Sequence, residues 1–261
     1  MIEDLKERVA REKVQHDEDG VLERSFELKG RFPHVMNSPT MRRCDADENA
    51  VYENLHGKRV LDLGCGFGQK SIFMAGLGAT VSGIDIAENY ICQARESAAD
   101  AGVSDKCTFA EMDAHSLAFE DDTFDLVVGR AIIHHLDLPV SLLEIKRVLK
   151  PGGRAMFVEP LGENPMLKLF RKLTPAARTI DEKPLYKRDL NWIAKHFNVA
   201  SRYYGLLSAP AAMVTSVLLR PYPNNPVLRV TDWAERILQG VRWLQPLHQY
   251  VLLDLKKPSD H

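Results

Sequence analysis

Residues 60–68 read Val60-Leu61-Asp62-Leu63-Gly64-Cys65-Gly66-Phe67-Gly68, an apolar run that breaks into a turn with glycine at every second position. Glycine bends the backbone sharply and lets a ligand reach the main chain with no Cβ in the way. The pattern alone is weak, because nucleotide sites and purely structural turns both use it. Its surroundings narrow the chemistry. Gln69 stands where a dinucleotide fingerprint needs a third glycine, and no Gly-Lys-Ser/Thr is present to cradle a phosphate. Asp62, two residues before the first glycine, would repel phosphate but suits a cationic ligand such as an aminoacyl sulfonium. Asp85, in Gly83-Ile84-Asp85-Ile86, can accept hydrogen bonds from both hydroxyls of a ribose. Asp113, in Met112-Asp113-Ala114, could receive an adenine amino group or simply cap the next helix.

Such residues need a frame that brings them to one edge. From Lys58 onward, short runs rich in Val, Ile and Leu alternate with helical patterns of ten or more residues. That rhythm predicts βαβ units and a parallel sheet. Strands are expected over 59–63, 80–85, 107–111, 124–129 and 154–159, with helices over 68–77, 88–101, 140–149 and 188–197. The helix over 140–149 carries Leu142, Ile145, Val148 and Leu149 on one face and stops at Lys150-Pro151-Gly152-Gly153. Two more strands, near 200–206 and 250–255, complete the sheet. Residues 1–24 are charge-rich, with Ile2, Leu5 and Val9 at helical spacing, and read as a surface helix.

The frame divides the chain into an N-terminal helical cover (1–55), a binding core (56–160) and a remainder (161–261) that finishes the sheet. Segments 161–186 and 207–247 interrupt the alternation, and insertions after late strands can cover the carboxyl edge where ligands bind. In the second, Asp232-Trp233-Ala234-Glu235 reads as a helix start, with Ile237, Val241 and Leu244 on one stripe.

Leu61-Asp62-Leu63-Gly64-Cys65-Gly66-Phe67-Gly68 resembles motif I of the class I S-adenosylmethionine-dependent methyltransferases. Phe124-Asp125-Leu126-Val127-Val128, then Ile133-His134-His135-Leu136, then Leu149-Lys150-Pro151-Gly152-Gly153 resemble later motifs of its small-molecule, methyltransferase type 11-like branch. The resemblance covers roughly residues 55–160 and is weak over the N-terminal segment and both insertions. It implies an α/β fold: a Rossmann-like, doubly wound, seven-stranded sheet whose last strand is antiparallel, with helical insertions after the fifth and sixth strands. It also implies S-adenosyl-L-methionine as cofactor and S-adenosyl-L-homocysteine as product. Asp62, Gly64 and Gly66 would hold the methionine end, Asp85 the ribose, and Asp113 with Ala114 the adenine. Cys65, Ile86 and Arg130 count with the cofactor-binding positions, and Cys65 is given no redox role.

Methyl transfer from a sulfonium is an in-line displacement, so the protein must mainly align donor and acceptor. A base is needed only where the acceptor must lose a proton, as a hydroxyl must. Gly129-Arg130-Ala131-Ile132-Ile133-His134-His135 follows the fourth strand and should lie beside the methyl group. Either histidine could take such a proton, with Glu159 at the end of the fifth strand orienting it or binding the acceptor. The alternative is that the histidines only pack or cap a helix. No clustered Asp/Asn set suggests magnesium, and no metal is expected.

The bulk properties bound the partners. The 261 residues are 45% hydrophobic and 27% charged with a net charge of −2, an ordinary globular balance without the basic footprint of a nucleic-acid binder. Four scattered cysteines and a charged N-terminus without an apolar signal core suggest reduced thiols and a cytoplasmic location. The acceptor is expected to be a small molecule methylated on oxygen, or second on nitrogen; a non-methylating, cofactor-binding protein is the other class. In the first insertion, Met166, Leu169, Phe170 and Leu173 oppose Lys168, Arg171 and Lys172. A basic amphipathic helix can lie on a membrane or grip an acidic substrate, but a lid helix with solvated charges is the expectation here. Residues 178–183 are polar and could close over a pocket. Leu218, Leu219, Trp233, Ile237 and Trp243 suit an aromatic or lipid-like acceptor, or a homodimer interface.

Overall fold

A computed structural model describes residues 2–18, 30–173 and 182–258. In chain order the N-terminal helices are α1 (Ile2–Glu18), α2 (Pro33–Asn37) and α3 (Pro39–Asn49). The alternating core follows as β1 (Arg59–Leu63), α4 (Gln69–Gly76), β2 (Thr80–Asp85), α5 (Glu88–Asp100), β3 (Cys107–Glu111), β4 (Phe124–Arg130), α6 (Leu138–Val148) and β5 (Leu149–Pro160). The remainder is α7 (Pro165–Leu173), α8 (Lys187–His196), β6 (Asn198–Tyr204), α9 (Ser208–Leu218), α10 (Pro226–Leu238) and β7 (Tyr250–Lys256).

The seven strands form one sheet in the order β3-β2-β1-β4-β5-β7-β6. β1 to β5 pair in parallel, and β7 runs antiparallel to both β5 and β6. Strand order therefore reverses between β1 and β4, the place where an open α/β sheet leaves a crevice at its carboxyl edge. Period-two alternation divides the core between the two faces. Leu61 and Leu63 pack with Leu142 and Ile145 of α6, while Val60 packs on the other face with Met74 of α4 and Ile91 of α5. Asp62 points to that second face and is buried with it.

Several expected boundaries shift. α6 stops at Val148, and Leu149 already pairs with Phe124, so the Pro-Gly-Gly stretch lies within β5 rather than beyond a helix end. Asp232 does not start a helix. Asn225 caps α10, its Oδ1 accepting the Leu228 amide at 3.1 Å, and Pro226 occupies the first turn, where a missing N–H costs nothing. Ile237 points outward, and Val241 and Leu244 lie past the helix end at Leu238. α9 occupies a stretch that the sequence pattern left unassigned.

Candidate functional site

The sheet's reversal point opens into a cavity of about 200 Å³. Seven of the nine expected cofactor positions line it: Gly64, Gly66, Asp85, Ile86, Asp113, Ala114 and Arg130. Asp62 and Cys65 do not. The glycine turn explains the difference. Gly64 and Gly66 adopt φ of 67° and 51°, the left-handed region that side chains disfavour. A Cβ on Gly64 would meet Ile132 Cδ1 at 2.8 Å, whereas one on Gly66 would meet nothing within 4 Å. Gly64 is thus required by close packing, and Gly66 leaves open space that a ligand can fill.

The acids hold distinct posts. Asp85 Oδ2 accepts the Gly66 amide at 3.0 Å, and its Oδ1 accepts the Ala87 amide at 3.1 Å, so β2's carboxylate is locked to the turn after β1. Asp62 lies beneath the turn and accepts the Ser71 hydroxyl at 2.6 Å. Burial pushes its carboxyl up, against the opposing effects of Ser71 and Lys70. Burial likewise raises the Cys65 thiol, aided by Asp62 and Asp85, which leaves it a poor nucleophile.

Asp113 Oδ1 accepts both the His115 amide, at 2.9 Å, and His115 Nδ1, at 2.6 Å. His115 Nε2 accepts the Asp137 amide at 2.8 Å, which places the ring proton on Nδ1. Burial works against the Asp113 charge, yet the His115 bonds outweigh it and hold the carboxyl below its usual range. Asp113 therefore shapes its own loop and lines the cavity as well.

Arg130 is clamped by α3, with Nη1 2.7 Å from Asp45 Oδ1 and 2.9 Å from Glu48 Oε2. Burial opposes its charge, but the two carboxylates raise its affinity for the proton. Lys70 also pairs with Glu48, tying α3 to α4. Beyond Arg130 the chain turns through Ala131 at φ 55°, with its amide donating to Val158 O at 2.9 Å.

The two histidines separate at this point. Glu159, fully buried, accepts the Ile132 and Ile133 amides on Oε1 at 2.9 and 3.0 Å. Its Oε2 lies 2.7 Å from His134 Nδ1. The carboxylate thus draws the ring proton to Nδ1 and leaves Nε2 with its lone pair. His134 Nε2 faces Glu182 at 3.8 Å, on the side of the first insertion. His135 lines the cavity instead, with Nδ1 3.5 Å from Glu12 of α1. Burial opposes the charge on His135, but Glu12, Glu182 and Glu159 together raise its pKa. The rings lie 4.2 Å apart between centroids, and nitrogens of both histidines with a Glu182 oxygen fall within 4.8 Å of one another. A set of that kind can share a proton or hold a cation, and sequence spacing did not show it.

Within the expected N-terminal cover, sequence reasoning named no site residue. Leu5, Arg8, Val9 and Glu12 of α1 line the cavity, and Arg8 donates to His135 O at 3.1 Å. The apolar spacing of Leu5 and Val9 was visible, but its target was not. Ile84, Tyr90, Met112, His115, Ala131, Ile132 and Leu136 complete the wall. Met112 and His115 stand within two residues of Asp113, and Leu136 follows the two histidines, so these had a local signal, whereas Tyr90 had none. Of the polar 178–183 stretch, residues 178–181 lie outside the described residues, and Lys183 donates its amide to His134 O at 3.1 Å.

Comparison with known proteins agrees with this geometry. Residues 61–157 match the family model described as a methyltransferase domain. The match runs from β1 into β5, the segment that carries the resemblance to the class I S-adenosylmethionine-dependent methyltransferases. The chain is 34% identical over 120 residues to the sterol 4-C-methyltransferase strm-1 of Caenorhabditis elegans, covering 46% of this chain and 35% of the relative. It is 39% identical over 154 residues to the ubiquinone biosynthesis O-methyltransferase of Pseudomonas syringae pv. tomato, covering 58% of this chain and 64% of the relative. The similarity thus spans about a third to two thirds of these relatives' own lengths. The crystal structure of geranyl diphosphate C-methyltransferase from Streptomyces coelicolor A3(2), in complex with Mg2+, geranyl diphosphate and S-adenosyl-L-homocysteine, has the same fold. Its TM-score is 0.60 at 14% identity, covering 83% of this chain and 81% of that one.

Proposed function

We propose that this chain transfers the methyl group of S-adenosylmethionine to a hydroxyl of a small, lipid-like molecule, with His134 as the base. The cavity suits the cofactor on its own terms. Gly66 leaves the open cradle that a Cβ would fill, Asp85 presents a fixed acceptor for ribose hydroxyls, and Met112 and Ala114 offer apolar contact to a base beside Asp113. When bound, the cofactor supplies an electrophilic methyl group on a sulfonium. The protein's own part is to hold, orient and deprotonate.

One observation carries the base assignment: the 2.7 Å contact between His134 Nδ1 and a Glu159 carboxylate that two backbone amides immobilise. It fixes the tautomer, so that Nε2 can accept the acceptor's hydroxyl proton. The imidazolium that results lies between Glu159 and Glu182. His135, tied to α1 through Glu12 and Arg8, serves the roof over the cofactor. The ubiquinone O-methyltransferase relative supports oxygen as the methylated atom, and the sterol and geranyl diphosphate enzymes support an apolar acceptor.

The test is turnover of His134→Ala with polyprenylated phenols as probe acceptors, in the presence and absence of a chelator. A large loss of kcat that a chelator does not reproduce in the parent supports proton abstraction. Parent-like turnover of the variant overturns it, and loss of parent activity on chelation assigns the His134, His135 and Glu182 set to a metal ion instead.

A further inference from the structure

We propose that the outer face of α7, α9 and α10 docks on the surface of an anionic lipid bilayer. Two of these helices are built inside out. On α10, Leu228, Asp232 and Glu235 face the protein, while Val230, Trp233 and Ile237 face outward. On α9, Ser208, Ala209, Ala212, Thr215 and Ser216 are buried, while Val214, Val217 and Leu218 are exposed. A surface helix ordinarily turns its apolar stripe to the core, so this reversal leaves the stripe to a partner. Leu218 is 73% exposed, Trp233 64% and Trp243 74%.

The three helices meet at one groove. Met166 of α7 lines one groove with Val214 and Leu218 of α9 and Val227 of α10. The buried acids have structural work. Glu235 accepts the amides of Gly205, Leu207 and Ser208, and Asp232 accepts from Thr40, Arg43 and Arg236.

Charge identifies the occupant. In 207–247 both acids are buried, and the exposed charges are Arg220, Arg229, Arg236 and Arg242. α7 adds Lys168, Arg171 and Lys172 beside the exposed Met166 and Leu169. Trp and large aliphatic side chains interleaved with arginine are the composition of an interfacial membrane face. A second copy fits poorly, because an isologous dimer would set this cationic face against itself. Among the described residues no helix is long and apolar enough to cross a membrane, so contact is with the bilayer surface. The patch shares no residue with the cofactor cavity, so this inference stands apart from the proposed reaction.

The experiment is co-sedimentation of the whole chain with vesicles of pure phosphatidylcholine and of phosphatidylcholine mixed with phosphatidylglycerol. Binding should favour the mixed vesicles, weaken with salt, and blue-shift the tryptophan emission. Arg229→Glu with Arg242→Glu should weaken it by roughly fivefold or more per charge. Trp233→Ser with Trp243→Ser should weaken it at least about tenfold, with S-adenosylmethionine affinity and the circular dichroism spectrum unchanged. Failure of the folded parent to bind mixed vesicles overturns the proposal. Full binding by the Trp233→Ser, Trp243→Ser variant does the same. A concentration-dependent dimer that these substitutions abolish, without vesicle binding, assigns the face to a second copy. Capture of an acidic protein, again without vesicle binding, assigns it to that protein.

Discussion

The Asp85 carboxylate, at the end of β2, accepts the backbone amide of Gly66, in the turn after β1, at 3.0 Å. The acid expected to meet a ribose is therefore also the brace of the glycine turn, and the two halves of the cavity floor share one fixed geometry. Removing the carboxylate should remove both functions together.

Asp85→Ala should weaken S-adenosylmethionine binding by at least tenfold, because hydrogen bonds to a charged acceptor are worth about 1.5–3 kcal/mol each. Calorimetry checks the affinity, and circular dichroism checks that the sheet persists. Unchanged affinity would remove Asp85 from the site.

Gly64 and Gly66 should respond differently to alanine. Both carry positive φ, which costs an L-residue roughly 1–2 kcal/mol. Gly64→Ala must also push against Ile132, so it should lower the unfolding midpoint further than Gly66→Ala. Gly66→Ala projects a methyl into open cavity, so it should impair cofactor binding more than its effect on stability suggests. Thermal melts and calorimetry of the pair separate the two effects.

The His134–Glu159 pair gives the mechanistic prediction. His134→Ala should lower kcat by about 10²–10⁴-fold with cofactor affinity nearly intact. In Glu159→Gln the amide oxygen can keep the Ile132 and Ile133 amides only by turning its NH2 toward His134. Nδ1 would then accept, the proton would move to Nε2, and the base would be lost. The double variant should lose less than the product of the single losses.

The roof should loosen as pH rises. The pKa of His135 is raised in the folded protein, so its charged pairing with Glu12 stabilises fully below the ordinary imidazole value. That contribution is lost as pH climbs through the raised value. Amide exchange in α1 should therefore be slowest on the acid side of neutrality and accelerate, beyond its intrinsic dependence, above it. Glu12→Gln should flatten the excess. An excess that persists in that variant assigns the effect to another group.

Local physics made much of this protein legible in its sequence. Strand and helix periodicity follow from which side chains can share a face, and β1 to β4 begin and end close to their expected positions, while β5 begins earlier, at Leu149. The glycine turn and the acids after successive strands were visible for the same reason: each depends on its immediate neighbours. Tertiary structure decided the rest. Asp62 went beneath the turn because alternation along β1 points it at Ser71, away from the cavity. Only the reach of β5 beside β4 brings Glu159 to His134 rather than to His135, across 25 residues of chain. The roof depends on Glu12 and His135, 123 residues apart. The apolar stripe of α10 reads in sequence like any core stripe, and it faces outward because Asp232 and Glu235 satisfy buried donors on α3 and in the turn after β6. Spacing encodes which residues share an element, but the pairing of distant polar groups exists only once the chain has closed and excluded water from them.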